Sequence, residues 1–578
     1  MLLALIFIPI VAAALIPLLG KRQVFWLALV GTLVPLGIGL VMLLGMGVDW
    51  RSLTGDVFTR SIPWMPELGL TFKLGVDAVS GSLILLTLLL GPICVLCSKS
   101  AITERVRTYY GWLLVLQGAM VGVFAARDLV LFYIAFEFTL IPMFVLITLF
   151  GSTNRRAAGI KFFLYTFTGS IIALAGLVYI AWFNATKIQP GAFAGAGAWT
   201  FDLATLQSAA RTIPPGTQWW LFLALMLGFA VKVPLFPLHT WLPLAHTEAP
   251  TAGSVVLAGV LLKLGTYAIY ALAIPMLPAG AVQFAPVVAV LAIIGFVAIG
   301  LVCWVQTDVK KLVAYSSVAH LGVCMLGMFA LNPTGFKGAV LYMLNHGLST
   351  GALFLCIGMM YERYHTRSML EIGGLAKKMP VWATFVVFFA MASVGLPGLN
   401  GFVSEFLCLL GAWQASDTWL AGGFVGGTPG VLGPVYVGIA VVGMVVGAIY
   451  TLQLVGKMVF GPLKTPHGDD HGHGHAHAPH AAAGEHVWLP TDLNAREIIT
   501  LLPLAALCLA LGLFPKPLLQ AFDYSAQRTY SIVNEAREQV RLQQVDAPIP
   551  PLGPASTPSD PPGARPSGTG QGKPEVHQ

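Results

Sequence analysis

The sequence predicts an all-α polytopic membrane protein of about fourteen transmembrane helices, with two inverted five-helix repeats, each containing a broken helix. Three observations carry that reading. Hydrophobic residues fill 57% of the 578 positions and charged residues only 10%, with mean hydropathy +0.79; soluble chains carry about a quarter charged residues. Apolar runs of bilayer length, roughly 17 to 25 residues, recur along most of the chain. Two of them are interrupted, at Lys232-Val-Pro-Leu-Phe-Pro and at Gly395-Leu-Pro-Gly-Leu-Asn-Gly.

In order, the predicted spans fall near 1–19, 24–46, 76–97, 109–126, 128–150 and 160–183. The next lie near 218–245 (broken), 251–274, 282–304, 309–331, 335–361, 380–411 (broken), 432–458 and 498–515. The start lacks a basic n-region and an obvious small-residue cleavage site, so a retained first helix is expected. The two interrupted spans lie five apart. Matched breaks at that separation indicate two repeats of five helices, and an odd number inverts the second repeat in the membrane.

The expected division is 1–108 for helices 1–3, 109–274 for the first repeat and 275–460 for the second. A His-rich loop follows over 461–495, then the last helix over 496–523 and a C-terminal tail over 524–578. The run from His467 to His486 alternates His with Gly and Ala, which lacks the fixed geometry of a structural metal site. From Pro548 onward the tail is rich in Pro, Gly and Ser and is expected to be disordered, after a surface helix over Ser525–Gln544.

Lysine and arginine in alternate loops set the orientation. Seventeen fall in one set, including Arg105, Arg107, Arg155, Arg156, Lys310, Lys311 and Arg367, and seven in the other, including Arg60, Lys73 and Arg127. The first set is expected in the cytoplasm and both termini on the opposite, periplasmic side. A net charge of +7 is small for this length and points to no nucleic-acid partner. Of the seven cysteines, Cys94 and Cys97 lie one helical turn apart, but no second pair completes a metal or cluster site; they read as packing residues.

The informative residues are ionisable groups inside apolar runs: Glu137, Lys232, Lys263, His320, His346 and Glu405. A charge at bilayer depth costs a few kcal/mol even on lenient insertion scales. Proline inside a helix frees backbone groups, which a membrane tolerates only within protein or beside water. Each residue alone could be a satisfied structural group, and Lys232 alone could snorkel to the interface. Six of mixed sign in consecutive spans point instead to a proton relay. Burial lowers a lysine pKa and raises a glutamate pKa by up to about 3–5 pH units, and histidine titrates near neutrality already. A nearby Glu137 is expected to hold Lys232 charged. Ser316 and Ser317, one turn before His320, and Tyr342, one turn before His346, could help hold bridging water.

The runs KVPLFPLHTWLPLAHTEAPTAGSV, DVKKLVAYSSVAHLG, HGLSTGALFLCIGMMYERYHTR and SVGLPGLNGFVSEF resemble the antiporter-like membrane subunits of respiratory complex I. The resemblance spans about residues 70 to 460. Glutamate at position 405 resembles the M-type branch, whose paralogues carry lysine there. The resemblance implies that Glu137 pairs with Lys232, that Lys263 is the central relay lysine and that His320 and His346 form the connecting axis. Glu405 would be the terminal exchange residue. Leu244 departs from the pattern, standing where relatives often carry aspartate, which puts the proton uptake route in doubt.

The implied function is proton translocation by a non-redox subunit of a NADH:quinone oxidoreductase. NADH, FMN, iron–sulfur clusters and quinone would belong to other subunits, since this sequence has neither a Gly-rich nucleotide fingerprint nor a cysteine set for a cluster. Expected partners are other membrane subunits of the complex, paralogous antiporter-like subunits among them, and lipid. Two rival readings stay open. A sodium/proton antiporter subunit of Mrp type predicts sodium-dependent transport without NADH. A non-conducting scaffold predicts that neutralising Lys232 or Glu405 leaves pumping intact.

Overall fold

The computed structural model describes residues 1–45, 49–50, 53–188, 199–421, 426–464, 466 and 491–545. Within them the chain is a helical bundle. Most of the His-rich run, including His467–His486, and the tail from Pro548 lie outside the described residues.

The helices run α1 (Leu2–Leu15), α2 (Lys21–Gly45), α3 (Ala78–Ala101), α4 (Val106–Ala125), α5 (Leu129–Phe150) and α6 (Arg155–Ile188). Then come a short α7 (Leu203–Ala210), α8 (Pro215–Lys232), a short α9 (Leu242–Glu248) and α10 (Thr251–Met276). The remainder are α11 (Pro278–Trp304), α12 (Val309–Met328), α13 (Pro333–Tyr364), α14 (Pro380–Val394) and α15 (Asn400–Gln414). The last are α16 (Pro434–Met458), α17 (Ala495–Leu513) and α18 (Asp523–Val545). Among the described residues, eleven helices are long and apolar enough to cross a membrane. Both predicted breaks are present, as α8/α9 and α14/α15.

Side-chain caps start several of these helices. Asp128 accepts from the amides of Val130 and Leu131 at α5, Asp308 from those of Lys310 and Lys311 at α12, and Asn332 from Gly335 at α13. Each such cap contributes about 1 kcal/mol. The narrow gap between the predicted spans 109–126 and 128–150 is the link between α4 and α5, through Arg127 and the cap Asp128.

The all-α expectation needs one correction. Residues 57–76 form an antiparallel hairpin, β1 (Val57–Met65) with β2 (Leu70–Val76). Gly69 turns it at φ +69°, a conformation glycine adopts without a Cβ penalty. Its strands are too short to register in a search for bilayer-length runs. Backbone bonds tie it to the bundle: the Arg127 amide donates to Lys73 O at 2.8 Å, and the Leu203 amide to Arg127 O at 3.1 Å.

The core sits between α10 and α13. The most apolar stretch of α13 is wholly buried, because α10, α12, α14, α15 and α17 all pack on it. Gly347 on α13 meets Gly259 on α10 so closely that a Cβ at Gly347 would lie 2.8 Å from Gly259 O. Small residues at such a crossing let backbones approach inside a membrane. Peripheral α6 and α16 turn apolar faces outward, with Ile160, Leu164, Ile171 and Val178 exposed on one and Ile439, Val442 and Val445 on the other. The predicted C-terminal surface helix exists as α18. One face is held to the bundle by a Lys337–Asp523 ion pair of 2.8 Å and by Tyr270 and Ser525 hydroxyls 2.8 Å apart.

Candidate functional site: a buried polar axis

Lys232 is the last residue of α8, where the prolines stop the helix. A cation is favoured at a helix C-terminus by the dipole and the unpaired carbonyls. Its Nζ donates to Phe136 O at 2.9 Å and lies 3.3 Å from the centre of the Phe136 ring. The break leaves the Val231 carbonyl without a helical partner, and Trp241 Nε1 fills the place at 2.9 Å. Glu137, next to Phe136 on α5, makes no direct ion pair with Lys232 among the described residues. Its carboxylate oxygens accept no hydrogen bond, while the nearby Ser170 hydroxyl is turned onto Thr166 O. Lys232 therefore rests on the carbonyl and ring of the residue before the glutamate.

Lys263 is fully buried on α10. Widened turns at Leu257–Leu261 and Ile269–Ala273 flank it. Such π-turns free backbone carbonyls and occur often at functional sites. Lys263 Nζ bonds Ala258 O, in the first of these turns, and lies 2.7 Å from His346 Nδ1 on α13. The two lysines are linked by backbone: a Cβ at Gly265, two residues past Lys263, would lie 2.9 Å from Val233 N, just past Lys232.

From His346 the axis continues to His320 on α12, with ring centres 6.1 Å apart. His320 Nδ1 lies 2.8 Å from the Tyr342 hydroxyl and 3.6 Å from Glu405 Oε1, and Tyr342 donates to that same Oε1 at 3.0 Å. With its one proton directed to Glu405, the phenol oxygen accepts from His320 Nδ1–H. The other ring nitrogen, Nε2, faces the hydroxyls of Ser393 and Tyr450, each at 3.3 Å. A cavity of about 10 Å³ lies among His320, Tyr342, His346, Ser349, Ser404 and Glu405, roughly the space needed for one water.

Glu405 on α15 is positioned by the second break. Asn345 on α13 donates to Asn400 O at 2.6 Å and to Ser404 Oγ at 3.0 Å, pinning the start of α15. Gly395 ends α14 at φ +81°, and a Cβ there would overlap Glu405 Oε2.

The structure thus brings Lys263, His346, His320 and Glu405 together, with Glu137 and Lys232 one backbone contact away. Tyr342 serves His320 and Glu405 directly, not His346 as its sequence spacing suggested. The Ser316 and Ser317 hydroxyls turn back onto Val313 O of their own helix and hold nothing in the axis.

Sequence reasoning passed over His246. It is fully buried on α9, neither ring nitrogen has a hydrogen-bond partner among the described residues, and its ring stacks on Phe354 with centres 4.6 Å apart. It lies within electrostatic range of both Lys263 and His346. Two residues on, Glu248 accepts from Ser152 Oγ at 2.6 Å and from the Asn154 amide at 2.9 Å. Glu248 also lines a cavity of about 540 Å³ at the arginine- and lysine-rich end, with Ser152, Lys310, Glu362, His365 and Arg367. All seven cysteines are buried free thiols, and no group of metal-binding side chains occurs among the described residues.

Residues 126–429 match the family described as NADH:quinone oxidoreductase/Mrp antiporter, TM. The NADH-quinone oxidoreductase subunit M of Rhodobacter capsulatus is 39% identical over 527 residues, covering 88% of this chain and 92% of that protein. A chain of respiratory complex I from Thermus thermophilus with bound NADH is similar at TM-score 0.77 and 28% identity, covering 92% of this chain and all of that one. A chain of the Mrp complex from a Dietzia species shares the fold at TM-score 0.72 and 20% identity, with 93% and 98% covered. This chain therefore belongs to the NADH:quinone oxidoreductase/Mrp antiporter family of membrane subunits, beside its subunit M relatives.

Proposed function

We propose that this chain is a non-redox, proton-translocating membrane subunit of a NADH:quinone oxidoreductase, working beside paralogous membrane subunits in the bacterial inner membrane. The single observation that supports it most is the buried polar run from Lys263 through His346 and His320 to Tyr342 and Glu405, in which only the step between the two histidines, ring centres 6.1 Å apart, is not a direct hydrogen bond or ion contact. Six ionisable groups in hydrocarbon would be hard to retain without a task. In this reading the fourteen spans form two inverted repeats, the basic end faces the cytoplasm and both termini face the periplasm. The 540 Å³ cavity is the uptake vestibule, and His246 takes the place of the side chain missing at Leu244.

NADH, FMN, iron–sulfur clusters and quinone act in other subunits, and their electron transfer shifts the charge balance at Lys232 and Glu137. A proton released towards Lys263 passes along the histidines to Glu405. The opposing force is about 2.3 kcal/mol per charge for each 100 mV, and one pH unit of pKa is worth about 1.4 kcal/mol. A swing of a few pH units therefore suffices.

The test is NADH-driven proton uptake in inverted membrane vesicles carrying Lys232→Met, with NADH oxidation and assembly checked in the same samples. Lost uptake with an assembled, NADH-oxidising complex fits the reading. Unchanged uptake makes Lys232 a structural charge, and uptake driven only by a sodium gradient points to an antiporter.

A further inference from the structure

On the hairpin side of the bundle, Lys263 is separated from a polar cavity by about one helical turn. Tyr267 lies four residues past Lys263 and lines this cavity of about 150 Å³, together with Asp56, Lys73, Asp77, Arg127 and Asp202. The Lys263 amine itself is turned toward Ala258 O and His346, but a proton leaving it along its own helix toward Tyr267 would bypass the rest of the axis. What stands in that way is the Arg127 side chain, in the link between α4 and α5.

The guanidinium is held on every side. Nε donates to Asp56 Oδ1 at 2.8 Å, and Nη2 lies 2.8 Å from the same oxygen and donates to Ser80 Oγ at 3.1 Å. Nη1 donates to Phe124 O at 3.2 Å, to Ala126 O at 3.1 Å and to the Tyr267 hydroxyl at 3.4 Å. Tyr267 in turn donates to Phe124 O at 3.4 Å. Its proton is thereby committed to a carbonyl, and its oxygen receives an arginine N–H.

Proton transfer along hydrogen bonds needs groups that both accept and donate. Arginine only donates and stays charged at any working pH. Fixed arginines exclude protons and cations from water-permeable pores on the same grounds. We propose that Arg127 is the seal that closes the hairpin side of the relay, so that a proton at Lys263 can leave only along the histidines toward Glu405. The carboxylates of Asp56 and Asp77 hold the seal in place. This inference rests on the proposed relay through Lys263.

The test uses the whole complex reconstituted in proteoliposomes, reading passive proton permeability without NADH and NADH oxidation separately. Arg127→Gln is expected to leave NADH oxidation unchanged and raise the leak roughly tenfold or more, the scale on which a focused charge alters local ion concentration. Adding Lys263→Met to Arg127→Gln is expected to abolish the leak, because the inner half of the short way is gone.

If Arg127→Gln alone fails to assemble, the pair Arg127→Gln with Asp56→Asn removes the carboxylate left without its cation and is expected to leak equally. Vesicles as tight as wild type with either neutral variant would overturn the seal, as would a leak indifferent to Lys263→Met. The leak is read without turnover. A leak that needs Lys263, with NADH-driven pumping indifferent to Lys263→Met in the parent, would keep the seal and sink the proposed pumping role.

Discussion

Lys263 Nζ and His346 Nδ1 lie 2.7 Å apart in a fully buried site, with Lys263 also bonded to Ala258 O. At that distance the pair shares one hydrogen bond and therefore one proton. Either the ammonium donates to a bare Nδ1, or Nδ1–H donates to a neutral amine. The opposite ring nitrogen of His346 has no partner among the described residues, and in the proposed relay it is the point of hand-over toward His320.

Tyr342→Phe removes the hydroxyl that joins His320 to Glu405 and leaves the ring packing intact. A hydrogen bond to a charged partner contributes about 1.5–3 kcal/mol, so some loss of thermal stability is expected without loss of assembly. NADH-driven proton uptake is expected to fall several-fold at unchanged NADH oxidation. Unaltered uptake would mean that His320 reaches Glu405 across their 3.6 Å separation unaided.

His246→Phe keeps the stack on Phe354 and removes two ring nitrogens that have no hydrogen-bond partner among the described residues. A residue kept for packing should tolerate that exchange. We expect an assembled complex with uptake reduced by roughly two orders of magnitude, the low end of what a lost proton-transfer group costs. Normal uptake would remove His246 from the route.

Gly395→Ala tests the second break. The left-handed backbone there costs a residue with a Cβ about 1–2 kcal/mol, and the new methyl would collide with Glu405 Oε2. Lower thermal stability and weaker uptake are expected together. A stable variant with full uptake would show that Glu405 does not depend on this turn for its position.

The hairpin is clasped to α7 by a Lys73–Asp202 ion pair, outside the spans. Burial raises the Asp202 carboxyl pKa, but Lys73 and Thr205 outweigh it and hold the value below the usual carboxylate range. A depressed pKa stabilises the folded form above the unfolded value of about 3.9 and loses that contribution as pH falls through the lower folded value. The protection of amides in residues 70–76, relative to their intrinsic exchange at each pH, is therefore expected to be flat from neutral to mildly acid pH and to fall only in strong acid. Asp202→Asn keeps the cap on α7 and should show lower protection from neutral to mildly acid pH, the difference closing in strong acid; no difference from wild type at neutral pH would mean that the clasp is carried by backbone bonds alone.

The span pattern and both breaks were legible because a lysine or glutamate beside Pro and Gly stands out in an apolar run. The partners of these charges were less so. Tyr342 sits one turn from His346 in sequence, but its ring crosses to α12 and α15, and spacing along one helix cannot reveal which neighbour a side chain meets. His246 escaped notice because Thr247 and Glu248 follow it, making the stretch read as a polar loop, whereas α9 folds inward behind the break. Arg127 counted as one loop charge among others, since its burial depends on the hairpin, and the hairpin's strands of 9 and 7 residues fall below the length a membrane scan looks for.

The most direct test of the relay is the number of protons taken up per NADH oxidised, in inverted vesicles carrying Lys263→Met. In the proposed relay Lys263 joins the uptake side to the histidine axis, so a fall in that ratio at unchanged assembly is the expected result. An unchanged ratio in a fully assembled complex would contradict the account, leaving the Lys263–His346 contact a structural bond and the axis a scaffold.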